Sequence, residues 1–118
     1  MRLINIAAAL SGLVALGFLV AAAHPLRDAL EAADLDRITL AAFVQVSAAC
    51  AGLAIANRTG RLNAIAGILI LAGAALFAGV LYAISLTHDR AFALLAPIGG
   101  GTLIVGWAVL AFARPVQS

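Results

Sequence analysis

The sequence predicts an all-α integral membrane protein, a four-helix transmembrane bundle with a short amphipathic segment between its first two helices. Three observations carry that prediction. First, 65% of the 118 residues are hydrophobic, against the roughly 45–50% apolar composition usual in soluble domains. Second, only 10% are charged, against about 25% in soluble domains. Third, the charges fall in clusters, and between them lie apolar tracts at about 3–23, 37–56, 62–87 and 91–113. Each tract is about 20 residues or longer, which at 1.5 Å per residue crosses a hydrocarbon core of roughly 30 Å. The expected domain is single, 1–118.

The first tract follows Arg2 and ends at Ala21-Ala22-Ala23, a pattern that secretory signals share. Its apolar run exceeds the roughly 7–15 residues of such signals, so it reads as a retained helix. The connection "HPLRDALEAADLDR" follows. Pro25 suits the first turn of a helix, and Leu26, Ala29, Leu30 and Ala33 recur at helical spacing, which predicts an interfacial segment over 25–34. Asp34 or Asp36 would then cap the second helix. Four crossings place both termini on one side with the turn "NRTGR". That side carries Arg2, Arg58, Arg61 and Arg114; the other carries Arg27, Arg37 and Arg90 with all five acids. Basic residues direct topology, so the termini are expected in the cytoplasm of a bacterial inner membrane.

Helices in lipid associate by close packing, which small residues permit. Small residues recur at about one-turn spacing in every tract: Ala8 and Gly12; Ala48, Gly52 and Ala56; Ala75, Gly79 and Ala83; Gly99, Thr102 and Gly106. Tyr82 and Trp107 read as interface anchors. The fourth tract opens with "APIGGGTLIVGW" (96–107). Either the helix starts near Ala91 and Pro97 bends it, or it starts at Pro97 with an interfacial lead-in. The apolarity of "AFALLA" favours the bend, and Gly99, Gly100 and Gly101 then mark a close approach by another element.

Polar groups inside a membrane mark function more often than apolar ones do. No tract carries an interior charge, which argues against proton relays and voltage sensing. Gln45 and Ser47 lie near the middle of the second helix and Thr102 in the fourth. Gln45 needs partners for its amide, and an interhelical bond, for instance to Ser11, is expected. A polar path near Gln45, Ser47 and Thr102 in a small oligomeric transporter or channel is the alternative. His24 and His88 end the first and third helices on the acidic side, near Asp89, but lack the spacing of a helical zinc site. The single Cys50 permits neither an intrachain disulfide nor a cysteine metal cluster. No nucleophile–base pair, phosphate loop or nucleic-acid surface is present in the pattern, so an enzyme and a cofactor are not expected. Membrane lipids, and a second copy or a larger membrane complex, are the expected partners.

The stretches "LFAGVLYAISLT" (76–87) and "APIGGGTLIVGW" (96–107) resemble the YgdD-like family of small bacterial membrane proteins of unknown function. "AALSGLVALG" (8–17) and Ala23-His24 with Leu26 match that family's first helix and its exit. "FVQVSAACAG" (43–52) departs from it, with Ser47 standing about where the family shows a histidine. The resemblance implies a four-helix inner-membrane protein, carries His24 over as a family position, and supplies no reaction.

Overall fold

In the computed structural model, which describes residues 1–115, the chain forms α1 (Arg2–Ala23), α2 (Ala32–Ile55), α3 (Arg61–Thr87) and α4 (Leu95–Phe112). The last three positions of the expected 1–118 span lie outside the described residues. All four helices are long and apolar enough to cross a membrane. Their outward faces are rich in exposed Leu, Ile, Val and Phe; Leu13 is 69% and Ile104 70% exposed in the middle of their helices. Side chains of that kind at mid-span face lipid, because water would not tolerate them in such numbers.

Three boundaries differ from the sequence expectation. Helix α2 begins at Ala32, so Asp34, Asp36 and Arg37 lie inside its first turns, and neither acid caps it; Glu31 occupies the N-cap without a side-chain bond. Charge there is tolerated because the helix end stands in the headgroup layer. The 25–34 segment is not a separate helix: residues 24–29 form successive turns, with Leu26 N–H donating to the Ala21 carbonyl and Leu30 N–H to the Leu26 carbonyl, and residues 32–34 already belong to α2. Helix α4 begins at Leu95, after turns over 91–94, which places Pro97 in its first turn. A proline there removes a donor that has no intrahelical acceptor anyway, so the expected bend is absent.

Helices α1, α2 and α3 pack in sequence, and α4 lies along α3. Small residues set these distances. A Cβ on Gly52 would come within 2.9 Å of the Ala8 Cβ, which fixes the α1/α2 crossing. A Cβ on Gly73 would lie 2.6 Å from the Leu103 nitrogen, and one on Gly99 2.6 Å from the Phe77 nitrogen. Backbone therefore meets backbone where α3 crosses α4. Gly106 continues this seam, since its Cβ would lie 2.9 Å from the Ile70 nitrogen. Of the expected notch, Gly99 and Gly106 are the contacts. Gly100 only borders the Phe77 ring at an ordinary 3.7 Å, and Gly101 has nothing within 4 Å. The stripe expected on the third helix, Ala75, Gly79 and Ala83, is exposed; the buried seam runs instead through Ala66, Ile70, Gly73 and Ala74.

Candidate functional site

Two groups of polar side chains join α2 to α3, one at the helix ends and one deeper. The first sits at the end that carries the 24–31 and 88–94 connections. Antiparallel packing sets the first turns of α2 beside the last turns of α3. Asp34 and Arg37, three apart, share one face of α2, and Ser85 and His88 share one face of α3. Arg37 Nη1 donates to Asp34 Oδ1 at 2.7 Å and to Ser85 Oγ at 3.3 Å. The second carboxylate oxygen, Asp34 Oδ2, lies 3.0 Å from His88 Nε2. Asp34 and Ser85 are buried, whereas the His88 ring is largely exposed. One carboxylate thus accepts from a guanidinium on its own helix and from an imidazole on the next.

The backbone of His88 explains how it reaches Asp34. It caps the C-terminus of α3 in the left-handed conformation, at φ 60° and ψ 15°. Histidine adopts that region more readily than most residues, though still at a cost. The reversal swings the ring back over α2 instead of onward into the loop.

The second group lies about two turns deeper on α2. Tyr82 donates its hydroxyl proton to Gln45 Oε1 at 2.7 Å, and both residues are buried. The Tyr82 ring stacks on Phe18 of α1, with centroids 3.7 Å apart and planes 9° from parallel. Ala41, Ala42 and Ala78 form the surrounding wall. Alanine suits those positions because a larger side chain would keep the ring out. Tyr82 is therefore a junction of three helices and not the expected interface anchor.

A third polar contact stands at the opposite end. Buried Asn63 donates from Nδ2 to the Thr59 carbonyl at 2.9 Å and to the Arg114 carbonyl at 2.8 Å, while Arg58 Nη1 donates to Asn63 Oδ1 at 3.2 Å. It ties the 56–60 turn to the exit of α4. Gly60 starts α3 at φ 105°, a conformation that side chains seldom adopt.

The residues singled out from the sequence do not form one site. Gln45 is bonded across helices as expected, but to Tyr82 and not to Ser11. Ser47 and Thr102 return their hydroxyls to the Phe43 and Ile98 carbonyls of their own helices. Ser47 faces outward on a shallow groove beside Trp107, so it and Gln45 do not share a path. His24 is exposed and lies outside the Asp34 cluster. Asp89 accepts from the Ala91 N–H at 2.9 Å, a local turn bond. Cys50 is exposed on the bundle surface. Among the described residues no three His, Cys, Asp or Glu side chains gather to hold a metal, and no buried side-chain nitrogen or oxygen lacks a partner.

The sequence placed His88 on the acidic side but did not join it to Asp34, marked Tyr82 only as an interface anchor, and gave no site role to Arg37, Asn63 or Ser85. One signal was available: D-x-x-R at the start of one helix and S-x-x-H at the end of the next but one boundary, both on the same side of the membrane, each pair on one helical face.

The model of a protein family of unknown function, DUF423, matches residues 20–100, from the end of α1 to the first turns of α4. The chain belongs to DUF423. It is 29% identical over 113 residues to the "UPF0382 inner membrane protein YgdD" of Escherichia coli K12, covering 92% of this chain and 86% of the relative. It is 35% identical over 107 residues to a "UPF0382 membrane protein" of Haemophilus influenzae, covering 88% and 86%. No solved structure matches it. The stretch matched to DUF423 contains both the Asp34 cluster and the Gln45–Tyr82 pair. The chain is thus a small integral membrane protein of a family whose biochemical role is not established, as the YgdD-like resemblance implied.

Proposed function

We propose that this DUF423 member is a non-enzymatic, packed helical bundle of the bacterial inner membrane that binds lipid or associates with itself or a larger membrane complex. The observation that carries the reading is the fate of the polar side chains. Gln45 and Tyr82 bond to each other, Asp34 is shared by Arg37 and His88, and Ser47 and Thr102 bond to their own helices. The first two contacts hold helices together, and the two hydroxyls are satisfied within their own helices. Groups so committed offer no free nucleophile, base or ion ligand. A transport path would need Gln45, Ser47 and Thr102 to face one space, and their different directions weigh against it.

Both termini are assigned to the cytoplasm, on the basis of Arg2, Arg58, Arg61 and Arg114 at that end. Alkaline phosphatase fused after Arg114 is expected to be inactive and a fluorescent protein fused there to be bright; an active phosphatase would reverse the orientation. Native mass spectrometry in mild detergent tests the functional reading. Retained lipid, a homo-oligomer or a co-purifying membrane protein is expected, and a bare monomer would overturn it.

A further inference from the structure

Helices α1 and α3 run parallel, both starting from the end that carries the termini; α2 packs against both, and they touch each other little. Between them a groove of about 700 Å³ opens sideways onto the lipid-facing surface. That volume falls within the roughly 300–1,000 Å³ of ligand clefts. Its walls are largely apolar, with Leu3 and Ala7 on one side and Ala64, Ile68 and Ala72 on the other.

Its length and its charge point to one kind of occupant. Along α3 the groove runs from Ala64 to Ala75. Eleven residues at 1.5 Å each give about 16 Å, close to half of a hydrocarbon core of roughly 30 Å. The groove is therefore one leaflet deep. Its mouth is basic: Arg2 lines it, and Arg61, three residues before Ala64, stands over the same face of α3. Arg58 and Arg114 belong to the same end, and all five acidic side chains belong to the other.

We propose that this groove holds one anionic phospholipid, its phosphate between Arg2 and Arg61 and one acyl chain laid along Ala7, Ile68 and Ala72. The inference rests on the lipid-binding reading above and gives it a site and a headgroup class. The arginines recognise the negative charge, and the alanines leave room for the chain against the helix backbones. A zwitterionic lipid would fill the same apolar channel without the charge contact.

The test is a titration of delipidated full-length protein in non-ionic detergent with dioleoylphosphatidylglycerol and, in parallel, dioleoylphosphatidylcholine, read by native mass spectrometry. One phosphatidylglycerol per chain is expected. Replacing both arginines (Arg2→Gln with Arg61→Gln) is expected to weaken it roughly thirtyfold, about fivefold for each cation at the membrane surface. Ala72→Phe fills the channel from an exposed position and is expected to abolish binding of both lipids. Arg90→Gln, at the other end, is expected to change nothing. Circular dichroism of each lipid-free variant verifies the fold. Phosphatidylglycerol retained equally by all variants would overturn the groove and leave the general lipid-binding reading standing. Bare monomers at every lipid concentration would overturn both.

Discussion

Tyr82 shows what a single side chain does in this bundle. Its ring fills the space that Ala41, Ala42 and Ala78 leave, and its hydroxyl gives Gln45 the partner that a buried amide requires. Tyr82→Phe keeps the ring and strands Gln45, so a loss of about 1 kcal/mol is expected, the scale of interhelical bonds in membranes. Adding Gln45→Leu removes the stranded amide and should recover most of that loss, because removing both partners is far cheaper than removing one. Unfolding by sodium dodecyl sulfate in mixed micelles measures both; an additive double variant would mean the two groups do not interact. His88 offers a second test at this scale. His88→Ala loses the Asp34 contact and keeps the cost of the left-handed backbone, whereas His88→Gly loses only the contact. The glycine variant is expected to be the more stable of the two by about 1 kcal/mol, the left-handed penalty of a side chain. Equal stabilities would mean that residue 88 rearranges.

The contact between α3 and α4 depends on the absence of side chains at two positions, Gly73 and Gly99, where a Cβ would lie 2.6 Å from backbone nitrogen. Neither neighbour has a flexible end that can move aside. Gly99→Leu is therefore expected to cost about 3 kcal/mol or more by forcing the helices apart. Gly101→Leu, in open space two residues on, should be neutral or slightly stabilising, because leucine favours a helix by several tenths of a kcal/mol over glycine. Similar losses in both variants would show that the close approach at Gly99 is not what sets the cost. Sequence alone marked this stretch as a notch but not which glycine forms it. Three consecutive glycines occupy three directions around a helix, and only the position of α3 selects among them. For the same reason the exposed Ala75, Gly79 and Ala83 looked equivalent to the buried seam, which is harder to see because Ile70 interrupts its small residues. The helices themselves were legible, since hydrophobic length and flanking charge determine membrane spans. The early start of α2 was not, because a helix end in the headgroup layer carries the same charged residues as a loop.

Across the whole molecule, polar contacts stand near both ends and one buried pair lies between them. The longest dimension is 47 Å, beyond the roughly 40–45 Å of a bilayer with its headgroups. The Asp34–His88 and Asn63–Arg114 contacts therefore lie at the level of the headgroups, while Gln45–Tyr82 is held among alanines within the apolar layer. The end contacts join residues 54 and 51 apart in the chain, so a single sequence shows at most the faces that carry them and not their pairing. The role of the buried Gln45 amide is packing, away from water. It is tested most directly by reactivity of a cysteine at that position toward a membrane-impermeant thiol reagent in intact membranes. With Cys50→Ala as background, Gln45→Cys is expected to remain unlabelled until detergent or denaturant opens the bundle, while His88→Cys reacts at once from its own side. Rapid labelling of Gln45→Cys in the folded protein would place water beside it and contradict the account.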